Sequence, residues 1–152
     1  MIVLDTSILV YATGVEHPLR GPCRELIGRV AAGRLAATTT PEVIQEFAHV
    51  RSRRLPRREA VRLARDMSSL FEPLIVTDHA ALALGLRIYE ESPVLGAFDA
   101  VLCAAALTLS VEAIVSADRA FATVDGLRHV DPGWAGFAAW LDDVATGTPE
   151  PT

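Results

Sequence analysis

The stretch IVLDTS at residues 2–7 decides how the chain is expected to fold. Its three apolar residues favour a buried strand, which ends at Asp5 and is followed by two hydroxyl side chains. Similar short apolar runs recur further along the chain, at 35–39, 74–76, 113–115 and, as a last short strand, near 128–130. Longer helical patterns separate these runs, so the sequence predicts an α/β domain with a mostly parallel central sheet.

Helix start signals punctuate the segments between the predicted strands. Thr40 can cap a helix, Pro41 fits its first position, and Glu42 suits its first turn. Signals of this kind predict helices at about 19–32, 41–53, 56–71, 80–91 and 97–109.

The length and composition suit a single domain without a membrane anchor. The chain has 152 residues, 51% of them hydrophobic, and shows neither a long uninterrupted apolar run nor a signal-peptide pattern, so a cytoplasmic location is expected. A domain at 1–131 is expected, with an amphipathic helix at 134–144 packed on it and a disordered tail at 145–152. Cys23 and Cys103 are too few for a disulfide framework and are expected to be buried thiols.

All 14 basic residues are arginines, and the absence of lysine argues against several enzyme classes. A P-loop nucleotide site, a Schiff-base enzyme and a phospho-acceptor receiver domain all normally rely on a lysine side chain. A phosphatase of the haloacid-dehalogenase type also begins with a strand and an aspartate. It needs a second aspartate at the position that Ser7 occupies here.

The net charge of −5 hides a basic segment at residues 51–65. This segment holds seven arginines and one acid, Glu59, whereas the rest of the chain holds seven arginines and eighteen acids. Two interpretations stay open for it: a solvated helix face, or a surface that binds RNA phosphates. The candidate RNA-binding residues are Arg51, Arg53, Arg54, Arg57 and Arg58.

Four carboxylates are candidates for one site. Asp5 and Asp118 each follow a predicted strand and Asp99 lies near a helix start, so helix or turn capping alone would also explain these three. Glu46 is different, because it lies among apolar residues of a helix and needs a partner or a metal there. Carboxylates gathered at one sheet edge repel each other unless cations neutralise them, and oxygen ligands favour Mg²⁺ or Mn²⁺.

The order and the flanks of these acids carry a family resemblance. Asp5-Thr6-Ser7 follows an apolar strand, and Glu46 stands in EVIQEF (42–47). Further on, FDA (98–100) enters an alanine-rich helix and SADRAF (116–121) follows another strand. This ordered set resembles a PIN-domain ribonuclease, specifically the VapC toxin type of bacterial toxin–antitoxin pairs, over about residues 1–131.

The resemblance implies a three-layer α/β/α PIN-like fold with a funnel of acids at its centre. It also implies a role for each residue of the motifs. These are Asp5 and Asp99 as principal metal ligands, Glu46 and Asp118 as acids that complete the site, and Thr6, Ser7 and Ser116 as supporting hydroxyls.

The activity that the resemblance implies is cleavage of RNA by an endoribonuclease that depends on Mg²⁺, with Mn²⁺ as the alternative metal. Such a toxin inhibits growth or translation until a cognate VapB-type antitoxin neutralises it, and the resemblance also implies a homodimer. A PIN-type RNA-processing nuclease without an antitoxin and a non-catalytic binding module stay open as alternatives. The residues do not indicate which RNA is cut.

Overall fold

A four-stranded parallel sheet forms the centre of residues 1–146, the part of the chain that the computed structural model describes. Its strands are β1 (Ile2–Leu4), β2 (Ala37–Thr38), β3 (Ala113–Val115) and β4 (His129–Val130). They lie in the order β2-β1-β3-β4, with Ile2 paired to both Ala37 and Ala113. Every pairing is parallel, so the carboxyl ends of all the strands meet at one edge of the sheet.

Helices form the connections between these strands, which confirms the predicted three-layer α/β/α class. They are α1 (Thr6–Thr13), α2 (Arg20–Ala31), α3 (Pro41–Ser52), α4 (Arg57–Leu70), α5 (His79–Glu91), α6 (Ala97–Thr108) and α7 (Phe137–Thr146), with a short 3-10 helix at Arg119–Thr123. Among the described residues, no helix has the length and apolarity needed to cross a membrane.

The predicted start signals of α3 and α5 act as caps. Thr40 Oγ1 accepts a hydrogen bond from the Val43 amide at 3.4 Å, and Asp78 Oδ1 accepts one from the Ala81 amide at 2.8 Å. Pro41 occupies the first turn of α3, where its missing N–H leaves no intrahelical bond unmade. Both helices therefore start within a residue of the predicted positions.

Helices α5 and α6 approach each other most closely at Gly85. A Cβ atom at this glycine would lie 2.7 Å from both Cα and Cγ2 of Val101, nearer than such atoms can approach. The face of α6 that packs in the interior is built from small side chains, including Ala100, Ala104, Ala105 and Ala106. This tight packing holds α6 in place and, with it, Asp99 on its first turn.

The predicted strand at 74–76 is wrong, because this segment forms no strand ladder. Its amide at Ile75 donates one hydrogen bond to the Thr39 carbonyl at 2.9 Å. Pro73 before it has no N–H to donate, and Val76 after it is 80% exposed. The apolar run is therefore an extended loop beside β2, and β2 itself is shorter than the predicted 35–39.

Helix α7 packs on the domain through an apolar face. Its buried side chains are Phe137, Trp140 and Leu141. On its other side, Asp142 pairs with Arg29 of α2 at 2.7 Å. The helix follows a turn at 134–136 and continues to Thr146, while residues 147–152 of the predicted tail lie outside the described residues.

Both cysteines are fully buried, as predicted. Burial raises the pKa of the Cys23 thiol and of the Cys103 thiol to about 12. Because the thiolate is the reactive form, neither cysteine serves as a nucleophile at neutral pH.

Candidate active site

The parallel sheet brings the predicted acids to one edge. Asp5 follows β1 directly, and Asp118 lies just beyond β3, the neighbouring strand. Helix α3 contributes Glu46, and the first turn of α6 contributes Asp99. All four acids line one cleft of about 730 Å³, so the structure brings together the carboxylates that the sequence marks separately.

Two serines fix the position of Asp5. Its Oδ2 accepts hydrogen bonds from Ser7 Oγ at 2.6 Å and from Ser116 Oγ at 2.8 Å. The Ser7 amide donates a third bond to the same oxygen at 3.1 Å. Asp5 is 6% exposed and Ser116 is fully buried, so this arrangement is held inside the protein rather than by solvent.

Thr6 has a different partner from Ser7. Its Oγ1 donates to Glu46 Oε2 at 2.7 Å and so joins α1 to α3. The sequence marks Thr6 and Ser7 as interchangeable candidates for one role, whereas the structure gives each its own carboxylate. The pairing of Thr6 with Glu46 spans forty positions of the chain, and no local pattern announces it.

The aspartates that line the acidic cleft also accept hydrogen bonds from the backbone at helix starts. Asp5 caps α1 through the Ser7 amide, and Asp118 caps the 3-10 helix by accepting from the Ala120 amide at 2.8 Å. Asp99 accepts a hydrogen bond from the Gly96 backbone at the start of α6. Each aspartate therefore stabilises a helix start, and the helix start in turn fixes where the carboxylate lies.

The surroundings of Asp99 shift the pKa of its carboxyl. Burial raises the pKa of this carboxyl to about 6, and the negative charges of Asp5, Glu46 and Asp118 add to the shift. The hydrogen bond from the Gly96 backbone opposes it in part. Part of this shift comes from the charges of three neighbouring carboxylates, which a bound cation would offset.

Asp99→Asn is expected to stabilise the metal-free protein at neutral pH. A carboxyl whose pKa is higher in the folded than in the unfolded chain weakens folding as the pH rises from about 4 to about 6, and the full cost persists above that range. Asparagine keeps an acceptor for the Gly96 bond but carries no charge. Its advantage should be about 1–2 kcal/mol at about pH 8 and vanish near pH 3.

Urea unfolding of both proteins in EDTA at the two pH values measures this difference. An equal gain of stability at both pH values would mean that the charge of the buried Asp99 carboxylate is not its source.

The donor chemistry of the cleft suits a hard divalent cation. Its ligand candidates are carboxylate oxygens, which Mg²⁺ and Mn²⁺ prefer. The hydrogen bonds to Asp5 all go to Oδ2 and the bond to Glu46 goes to Oε2, which leaves one oxygen of each for another ligand within the described part of the chain. In residues 1–146 no three acid, histidine or cysteine side chains are already grouped as a metal site. The fit of a divalent cation to this cleft therefore rests on the carboxylate oxygens that it offers and on their negative charge.

The arginines of the basic segment differ in where they lie. Arg51 is buried, donates to the Thr13 carbonyl at 3.2 Å and lines the acidic cleft, so it is not part of a solvated helix face. Arg53 and Arg54 are exposed and also line the cleft. Arg57 and Arg58 are exposed at the start of α4 and lie outside the residues that line it.

A second, more apolar cleft of about 440 Å³ adjoins the acids and is not apparent from the sequence. Asp5, Glu46 and Asp99 line both clefts. The second is completed by apolar side chains of α5 and α6, among them Leu82, Leu86 and Phe98. Glu42, which the sequence explains as a first-turn acid, lies there as well and accepts from Thr77 Oγ1 at 3.4 Å. Several apolar helix residues that line this cleft are exposed in the structure, and the sequence shows only that they are apolar.

The chain is similar to a known family and to individual proteins within it. A family profile described as PIN domain matches residues 2–127. Ribonuclease VapC7 of Mycobacterium tuberculosis is 50% identical over 147 residues, which cover 94% of this chain and 99% of that protein. Ribonuclease VapC13 of the same species is 32% identical over 136 residues, covering 86% and 99%. Ribonuclease VapC23, also of that species, is 27% identical over 126 residues, covering 81% and 97%.

Proposed function

Because the chain belongs to the PIN-domain family and, within it, to the VapC ribonucleases, we propose that it cuts RNA at the acidic cleft with Mg²⁺ and acts as the toxin of a toxin–antitoxin pair. The observation that carries the proposal is the convergence of Asp5, Glu46, Asp99 and Asp118 on one cleft. The raised pKa of Asp99 supports a cation there, because burial and the charges of the other three acids both disfavour its ionised form, which a cation would stabilise.

The roles proposed for the four acids are those that the family resemblance implies. Asp5 and Asp99 would hold the cation directly, and Glu46 and Asp118 would complete its shell. A bound divalent cation lowers the pKa of water and offsets the charge that develops on a phosphodiester. Ser7 and Ser116 orient Asp5, and Thr6 orients Glu46, so the carboxylates are positioned before RNA arrives. The expected products carry 5′-phosphate and 3′-hydroxyl ends, as the family implies.

The partners proposed for this toxin are an antitoxin and a second copy of the chain. A basic side chain of a VapB-type antitoxin entering among the carboxylates would neutralise them and compete with the metal. A homodimer is supported by an apolar stripe on α5, where Leu82, Leu86 and Tyr89 are 42%, 53% and 49% exposed at helical spacing.

Expression in cells, with and without the neighbouring gene, tests the proposed function. The chain alone should arrest growth and produce new RNA ends with 5′-phosphates, and the neighbouring gene should relieve both effects. An Asp5→Asn chain provides the control, since it should express without arrest. Specific RNA maturation without arrest, and no small neighbouring reading frame, would favour the RNA-processing nuclease instead.

The basic segment gives a prediction that separates Arg53 and Arg54, which line the acidic cleft, from Arg57 and Arg58, which do not. Replacing Arg53 and Arg54 by glutamine should lower the slope of log binding constant against log salt by about 1.4, because each phosphate that an arginine neutralises adds about 0.7 to it. The same replacement at Arg57 and Arg58 removes an equal charge outside the cleft and should change the slope less. Binding of a labelled single-stranded RNA over a salt series measures both slopes. Equal decreases of the salt slope in the two double variants would indicate a general electrostatic attraction of RNA rather than direct binding of phosphates at the cleft.

A further inference from the structure

A further groove, distinct from the two clefts described above, lies beyond β3 at the same sheet edge as the acids. We call it the Trp134 groove; its volume is about 500 Å³ and its lining includes Arg119, Arg128, His129, Asp131 and Trp134. It is formed where β4 ends and where the 3-10 helix begins, immediately after Asp118. Since parallel strands end at one edge, the groove continues the edge that carries the acidic cleft.

Trp134 is held in place although it is exposed. Its side chain is 54% exposed, and the indole packs on Gly136 so closely that a Cβ atom there would overlap the ring. The backbone around it is fixed as well, because the Trp134 amide donates to the Asp131 carbonyl and the Phe137 amide donates to the Trp134 carbonyl, both at 3.0 Å. One face of the ring is therefore supported by the protein, and the ring is available as a platform.

Arg119 supplies a charge at the other side of this groove. It follows Asp118 in the chain, is 90% exposed at its side chain, and its Nε lies 3.7 Å from Asp131 Oδ2. Because Arg119 is so exposed and the separation so long, this ion pair is weak, and the guanidinium can exchange Asp131 for a phosphate at little cost.

Ser116 connects the groove to the acidic cleft. Its Oγ donates to Asp5, while its carbonyl lies 2.9 Å from His129 Nε2 in the groove. The His129 ring in turn stacks on Phe121, which is fully buried. Ser116 therefore contacts a residue of the acidic cleft through its side chain and a residue of the Trp134 groove through its backbone.

We propose that the Trp134 groove binds a nucleotide of the RNA substrate next to the one whose phosphodiester is cut. The indole of Trp134 stacks on the base and Arg119 contacts the adjoining phosphate. An exposed aromatic ring beside arginine is the arrangement that binds single-stranded nucleic acid with little base preference. The inference rests on the proposed ribonuclease function and gives the turn before α7 a role in it.

A fluorescence experiment tests the stacking directly, because the chain has two tryptophans and one of them, Trp140, is buried. The full chain carrying Asp99→Asn serves as the parent, because it is expected to bind RNA without cutting it. Titration with a short mixed-sequence single-stranded RNA should quench its emission. In the parent carrying Trp134→Phe as well, the remaining emission from Trp140 should not respond to RNA.

Affinity measurements in the same parent test the contribution of each group. Trp134→Ala should weaken RNA binding about tenfold, and Trp134→Phe should retain most of it, as loss of one base stack predicts. Gly136→Ala keeps the indole but displaces it, so it should also weaken binding. Arg119→Gln should lower the salt slope by about 0.7, whereas Arg34→Gln, an exposed arginine before β2 at the opposite edge, should leave it unchanged.

The outcomes separate this inference from the proposed function. Unchanged RNA affinity in folded Trp134→Ala overturns the groove while RNA cleavage by the unaltered chain still stands. If the unaltered chain cuts no RNA, both fail. If Trp134→Ala instead lowers the mass of the assembly or its affinity for the co-expressed antitoxin, with RNA binding intact, the groove docks protein and the inference is wrong. Thermal unfolding of each variant confirms that it is folded.

Discussion

Replacing Asp5 or Asp99 by asparagine is expected to reduce RNA cleavage in Mg²⁺ by more than about a hundredfold. Loss of a residue that only supports a metal ligand commonly costs tenfold to a hundredfold, and these two acids are proposed to bind the metal itself. The asparagine side chain is isosteric, and at Asp5 it can still accept from Ser7 and Ser116 through one oxygen. The loss should therefore come from charge and not from collapse of the cleft.

A fluorogenic single-stranded RNA assay over a range of Mg²⁺ concentrations measures the effect. Asp125→Asn is the matched control, because Asp125 is an exposed acid before β4, at the sheet edge opposite the cleft. The loss of RNA cleavage in Ser116→Ala should be intermediate, at about tenfold to a hundredfold, since Ser116 only positions Asp5. Full activity of purified Asp5→Asn or Asp99→Asn would refute the assignment of the metal ligands.

Asp99→Asn thus has opposite effects on stability and on activity. The same carboxylate that the proposed cation needs is held near three others that repel it. A variant that is more stable without metal and inactive with it would tie both properties to one charge.

Gly85→Ala is expected to destabilise the protein by about 3 kcal/mol, at the upper end of what overpacking usually costs. Its methyl group would meet the backbone of Val101 at 2.7 Å, and a backbone atom cannot rotate away as a side chain does. Gly28→Ala in α2 provides the control with the opposite sign. It is exposed, with nothing within 4 Å of the added methyl group, so the helix should gain about 0.5–1 kcal/mol.

Urea unfolding measures both substitutions, and activity assays extend the comparison to function. Since Asp99 lies on the first turn of α6, displacement of this helix by Gly85→Ala should also reduce cleavage. A gain of stability at both glycines would mean that α5 and α6 separate easily, which the close approach at Val101 contradicts.

The sequence predicts most of the fold because its strands and helices are marked by local signals. Asp5 ends a short apolar run, Thr40-Pro41 starts a helix, and both signals act within a few residues. The segment at 74–76 shows where this fails. Its composition is that of a strand, yet pairing depends on which backbone groups a neighbour leaves open, and here a single bond to Thr39 forms.

The order and flanks of the acids, together with the family resemblance, mark the acids and their supporting hydroxyls, but they do not predict which hydroxyl bonds which carboxylate. Asp99 lies near a helix start that the sequence marks, whereas the short 3-10 helix after Asp118 is apparent only in the structure. The partners of these acids come from distant positions, such as Thr6 for Glu46 and Ser116 for Asp5. Arg51 is a further example, because a run of arginines gives no hint that one of its members is buried.

The order of the strands has a consequence for synthesis of the chain. Strand β1 lies between β2 and β3, and β3 begins only at residue 113. The hydrogen bond from Ser116 to Asp5 joins positions that are 111 residues apart. A ribosome therefore releases Asp5 long before Ser116, and the two can form this hydrogen bond only once β3 has emerged. A toxin built in this order has no complete acidic cleft until the segment through β3 has been made.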